Sequence, residues 1–276
     1  MKTEPNEFYI GWQPEAPMGI SRRVRQFIFA VCVAVPLIGI LLVLNQSGFT
    51  TSTFEFGQPS ELEGVLTQTP APFLQVYRGK DVEGKPVFQN ILLVAPGKHG
   101  IGEMLAASER QLGHSLNGKM VKLSGILIYH DGKTLMEVEE MADLVEEGTA
   151  NEQPPAPTAM GNGAITGEIT DPKCLFGVMK PGYGKPHRSC AARCIAGGIP
   201  PVLKTLSTDG QVQYYLLAGE NGEAINDEVL PFVGDQVVAC GSVRKVGDWL
   251  VLFKDGSKDL ALVPKGLDAA IPTCGF

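Results

Sequence analysis

The sequence predicts a mainly β protein, with one N-terminal transmembrane helix followed by two small OB-like β-barrel domains that repeat one another. Three observations carry this. An unbroken apolar run, FIFAVCVAVPLIGILLVL, covers residues 27–44. The chain is rich in Gly (33) and Pro (20), which suits short strands joined by turns. The part beyond the run reads as the same series of segments twice.

The run has the length of a membrane-spanning helix. Lys2, Arg22, Arg23 and Arg25 precede it, and no Lys or Arg follows until Arg78. Positive residues stay on the cytoplasmic side, so the N-terminus is expected inside and the bulk of the chain outside. A cleaved signal peptide fits less well, because NQSGFTTSTFEF holds no A-x-A-like site and the residues ahead are long and partly acidic. Ser21-Arg22-Arg23 hints at a twin-arginine signal, but polar Arg25-Gln26 follows. Pro36 and Gly39 are ordinary in membrane helices. The expected layout is a cytoplasmic segment over 1–23, a membrane helix over 24–45, β domains over 55–147 and 164–265, a Pro-rich linker over 148–163 and a tail over 266–276.

The first half offers ELEGVL, QNILLVAPGKHG, KMVKLSGILI and GKTLMEV, and the second AITGEI, QYYLLAGENGE, QVVACGSVRK and GDWLVLF. HDGK and KVGD read as hairpin turns, with Gly supplying positive φ. The patterns at 237–240 and 249–253 predict strands with one buried face. Pro154, Pro155 and Pro157 keep the linker extended. A net charge of −7 argues against nucleic acid as a partner, which needs a basic face.

The halves differ after their opening strands. The first continues with TQTPAPFLQVYRGKDVEGKPVFQN, which lacks reactive residues, and the second with DPKCLFGVMKPGYGKPHRSCAARCIAGGIPPVL. OB barrels bind partners through this loop. Lys185-Pro186 can open a helix that Gly197, Gly198, Pro200 and Pro201 end. On it His187, Cys190 and Cys194 share a face, and Cys174 can fold back onto them with Met179 nearby.

Two chemistries compete for this cluster. In an oxidising compartment thiols pair, and Cys174, Cys190, Cys194, Cys240 and Cys274 are available. Cys190 with Cys194 would strain the bond on a helix, so Cys174 with one of them is the more natural bridge and the other can reach Cys240 or Cys274. Alternatively Cys174, His187, Cys190 and Cys194 hold a metal, copper for its soft ligands or tetrahedral zinc. Cys32, inside the apolar run, is expected to be inert. No Cys-x-x-Cys-His, G-x-S-x-G or phosphate-binding Gly loop occurs. His99 and His130 read as solvated, His114 as lying in a polar helical piece with no evident partner, and Glu139-Glu140 and Glu146-Glu147 as solvated charge. Nothing here argues for an enzyme.

The stretch CLFGVMKPGYGKPHRSCAARCIAGGIPP (174–201), with EFYIGWQPEAP (7–17), resembles a group of bacterial membrane-anchored periplasmic proteins to which no activity is attached. The resemblance implies a bacterial inner membrane and a periplasmic body, and lends no catalytic residue. The Cys-x3-Cys spacing is similar to that of copper-delivery and binuclear-copper proteins of respiratory membranes, which place their His after the cysteines. The layout of anchor and OB barrel is similar to the periplasmic haem chaperone of cytochrome c maturation, whose signature His near a C-terminal Tyr is missing here. The expected function is an accessory or binding subunit of a membrane assembly, a respiratory one first, with the lipid bilayer and an integral-membrane protein as partners. The alternative is a copper-, zinc- or thiol-handling protein. Phe8, Tyr9 and Trp12 fit either a docking segment or a belt at the membrane interface.

Overall fold

A computed structural model describes residues 17–46, 52–140, 153–207, 209–254, 256, 260–264 and 274. The chain divides into two units, 1–50 and 51–276. The proposed docking segment at 7–17 lies, except for Pro17, outside the described residues, as does most of the tail.

The first unit is the helix α1, Met18–Gln46. Pro17 accepts the Ile20 and Ser21 amides and opens it. Its apolar window has a mean hydropathy of 3.1, and by length and composition it can cross a membrane. It starts before the expected residue 24, because nothing from Met18 to Arg23 breaks a helix. Its 29 residues span about 43 Å, more than the roughly 30 Å of a hydrocarbon layer.

The second unit holds two closed five-stranded barrels. The first comprises β1 (Thr53–Phe54), β2 (Ser60–Thr67), β3 (Phe73–Lys80), β4 (Pro86–Val94), α2 (Gly102–Leu112), β5 (Met120–His130) and β6 (Lys133–Glu140). Strands close in the order β2-β3-β4-β6-β5-β2, and β4–β6 alone is parallel. The short β1 extends the sheet from β5.

The second barrel comprises β7 (Thr158–Thr170), a π-helical turn (Cys174–Val178), α3 (Arg188–Ala196), β8 (Val202–Leu206), β9 (Val212–Ala218), α4 (Asn226–Val229), β10 (Gln236–Val246), β11 (Trp249–Lys254) and β12 (Leu260–Leu262). It closes as β7-β8-β9-β11-β10-β7, with β9–β11 parallel. Order and direction match the first barrel, and each barrel carries a helix between its third and fourth strands. This is the OB arrangement.

Two boundaries depart from the sequence reading. β3 lies inside the stretch read as a plain connection, because its Gln75, Tyr77 and Arg78 break up the apolar pattern. β7 begins at Thr158, inside the expected linker. Thr158 pairs with Lys245 and Gly163 with Gly241, with a register shift beside Gly161 at φ 103°. The long β10 offers main-chain partners, and that pairing needs no apolar side chains.

Three cores hold the unit together. Leu74, Ile91, Leu93, Leu123 and Met136 fill the first barrel. Ile169, Leu203, Leu217, Val237 and Leu252 fill the second. The third lies between them, where Phe73, Leu92, Val94 and Leu135 meet Phe176, Tyr214, Leu216, Trp249 and Val251. Equivalent strands face each other here, β4 and β6 against β9 and β11. The expectation of one buried face on 249–253 is therefore corrected. Leu252 points into the barrel, while Trp249, Val251 and Phe253 point into the shared core, so both faces are covered. Residues 237–240 are likewise buried throughout.

Polar contacts fix the junction. The Trp249 indole donates to Asn90 O at 2.8 Å, and Asp248 Oδ1 accepts the Asn90 amide at 2.9 Å. Phe176 packs edge-on against both Trp249 and Tyr214.

Candidate metal centre

The cluster begins where β7 ends. Asp171 Oδ1 accepts the Cys174 amide at 2.9 Å, the reach of an N-cap residue to the third position beyond it, with Pro172 first in the turn. The turn then widens: Met179 N–H bonds Cys174 O, a π-helical spacing that recurs at functional sites. Gly182 comes back against this turn, where a Cβ would lie 2.5 Å from Cys174 O. Thr170 Oγ1 donates to Gly182 O at 3.0 Å.

α3 starts one residue after His187, whose carbonyl accepts the Cys190 and Ala191 amides. Gly197 and Gly198 end it, as the sequence reading expects. His187, Cys190 and Cys194 thus project from neighbouring turns toward Cys174. Ligand atoms of Cys174, His187 and Cys190 lie within 4.8 Å of one another, as do those of Asp171, Cys174 and Cys194. The Cys174 and Cys190 sulfurs are 3.9 Å apart. Two sulfurs on a tetrahedral zinc, each about 2.3 Å from it, lie about 3.8 Å apart.

The histidine is held for this task. Its Nε2 lies 2.8 Å from Asp171 Oδ2, and both side chains are buried. A carboxylate oxygen accepts, so Nε2 donates to it, and in a neutral ring the lone pair then sits on Nδ1. Nδ1 is buried and has no hydrogen-bond partner. A carboxylate on one ring nitrogen and a free lone pair on the other is the arrangement of metal-ligating histidines.

The first barrel contributes a cation. Lys98 Nζ lies 3.3 Å from Cys190 Sγ, and the contact raises the lysine's pKa. The Cys174–Cys194 hydrogen bond, followed by burial, pushes the Cys174 thiol well up. The same bond pulls the Cys194 thiol down against its burial, with help from Lys98.

The Lys98 loop is clamped onto this site. Buried Lys173 gives its ammonium to Ala95 O (2.9 Å), Gly97 O (2.8 Å) and Glu137. Gly100 N–H donates to Gly197 O at 2.8 Å. A Cβ on Gly197 would lie 1.9 Å from Lys98 O, and one on Gly100 2.1 Å from Gly198 O.

Of the four residues expected to hold a metal, the structure groups Cys174 with His187 and Cys190, and Cys194 with Cys174 and Asp171. It corrects the disulfide expectation. Cys240, on β10, pairs with Cys274, and Cys174, Cys190 and Cys194 are free thiols, as is Cys32 on α1. The reason is position: α3 aims Cys190 and Cys194 at Cys174 and away from β10. Met179 is 44% exposed and does not join the buried cluster. His99 and His114 are exposed, and His130 packs near the Phe176 ring.

Sequence reasoning missed Asp171, Lys173 and Lys98. Asp171 was findable, since Asp-Pro with Cys three residues on is a capping pattern. Lys98 is 92 residues from its thiol, and no local signal marks it. Comparison with protein-family models gives no match, and neither does comparison with curated proteins.

Proposed function

We propose that this chain is a membrane-anchored, extracytoplasmic protein that binds one thiophilic metal ion, zinc or copper(I), through Cys174, His187, Cys190 and Cys194. The observation that carries the reading is the buried, unpartnered Nδ1 of His187, whose other nitrogen is fixed by Asp171, beside three reduced cysteines. Leaving a buried polar atom unpaired costs on the order of 1–3 kcal/mol, which a metal bond would offset. The ligand set matches the preference of both ions for thiolate and imidazole.

Two features support the compartment. The apolar helix suits an anchor, and the Cys240–Cys274 bridge suits an oxidising space. Arg22, Arg23 and Arg25 near the start of the helix argue for a cytoplasmic N-terminus, and the Cys-rich motif for a bacterial periplasm. An accessory role within a membrane assembly accords with this layout, and affinity capture of the full-length protein from native membranes tests it.

The metal reading is tested on full-length protein in detergent, purified under reductant. Expected is one zinc or copper(I) per chain by elemental analysis, lost in His187→Ala and in Cys190→Ser. A folded protein that takes up neither ion overturns it.

A further inference from the structure

The metal reading leaves one contact unused. Lys98 approaches Cys190 from the other barrel, and Cys190 differs from its neighbours in access. Cys174 is 5% exposed and Cys194 1%, whereas Cys190 is half-buried. One thiol is partly exposed beside an ammonium, and a second lies 3.9 Å from it. That is the layout of an entering and a resolving thiol.

We propose that the metal-free protein exchanges its dithiol with an organic disulfide, Cys190 entering and Cys174 resolving. It uses the thiols of the metal reading but not the metal. In the first step the Cys190 sulfur attacks one sulfur of R–S–S–R′. The Cys190–S–R bond forms, the R–S–S–R′ bond breaks, and R′S⁻ leaves. In the second step the Cys174 sulfur attacks Cys190, the Cys174–Cys190 bond forms, and RS⁻ leaves. The two thiol protons pass through solvent to the departing thiolates. The protein pair is oxidised and the incoming disulfide reduced, so no other reactant is needed.

Geometry assigns the roles. Closing 3.9 Å to the roughly 2.05 Å of a disulfide requires a shift of about 2 Å. Cys174 stands on a π-helical turn, an irregular backbone that can give. Cys194 cannot resolve as readily, because it shares a regular helix with Cys190 at a spacing that strains the bond. Lys98 Nζ stands 3.3 Å from the entering sulfur.

The test treats full-length protein in detergent, with chelator, with oxidised glutathione and maps the products by mass spectrometry. Expected are a Cys174–Cys190 bridge in the wild type and a glutathione adduct trapped on Cys190 in Cys174→Ser. Cys190→Ser is expected to slow reaction at the other two thiols at least about tenfold. Lys98→Gln, which leaves the core untouched, should slow the first step several-fold. First modification at Cys174 or Cys194, a Cys190–Cys194 bridge, or no reaction by folded protein overturns the proposal. Metal uptake is measured separately, so the exchange can fail while the metal reading stands, and the reverse.

Discussion

His187 donates its Nε2 proton to Asp171 Oδ2 at 2.8 Å, and the other oxygen of the same carboxylate caps the Cys174 turn. One side chain therefore sets both the ring and the backbone that carries the first thiol. Removing the carboxylate lets the imidazole rotate and change tautomer while every ligand remains. Asp171→Asn keeps an oxygen for the Cys174 amide but loses the charge. Metal affinity is expected to fall about 10- to 100-fold, the usual effect of losing such an outer partner. Competition against a chromophoric chelator reads it, and an unchanged affinity would show that Asp171 is only a cap.

Gly197 has an ordinary φ of −78°, so its requirement is space and not backbone freedom. Gly197→Ala would drive a methyl group into Lys98 O. Neither partner is a flexible side-chain end, so the two barrels' loops must separate. We expect a loss of about 1–3 kcal/mol in urea unfolding, the usual cost of overpacking. The displaced Lys98 should also leave Cys190 slower toward alkylating reagents. A stable variant with unchanged reactivity would mean that the loops part easily.

Lys173 gives three N–H groups to three acceptors, Ala95 O, Gly97 O and Glu137. Lys173→Met strands a nearly buried carboxylate and two carbonyls, so a loss of about 3–5 kcal/mol is expected. Much of it comes from the unpaired charge. Lys173→Met with Glu137→Gln should therefore recover part of the loss, and a double-mutant cycle by urea denaturation measures how much. Strictly additive losses would show that the pair is not coupled.

The barrels were largely legible in the sequence because strand order, hairpin glycines and apolar runs are local signals. The thiol cluster was legible because a helix period brings His187, Cys190 and Cys194 to one face. What escaped depends on contacts between barrels. Both faces of β11 are apolar because a second barrel covers the outer one, and no single strand announces its neighbour. β3 escaped because Gln75 and Arg78 interrupt its pattern. Disulfide pairing escaped because the free thiols and the bridged ones are told apart only by the direction in which α3 points.

Asp248 sits at the junction, accepts the Asn90 amide, and has its pKa raised, chiefly by burial. Lys133, whose ammonium reaches Asp248 O, and Lys245 pull the other way but do not win. A carboxyl whose folded pKa lies above its unfolded value binds more protons when folded. Its contribution is therefore fully present below the ordinary value of 3.8 and is lost as pH rises through the raised one. Asp248→Asn keeps the acceptor oxygen and carries no charge to bury. Urea midpoints over a pH series should show the variant equal to the wild type at the acid end. It should gain on the wild type through the carboxylate range and hold a constant advantage at neutral pH. A variant that is weaker at neutral pH would mean that attraction to Lys133 outweighs the cost of burying the charge.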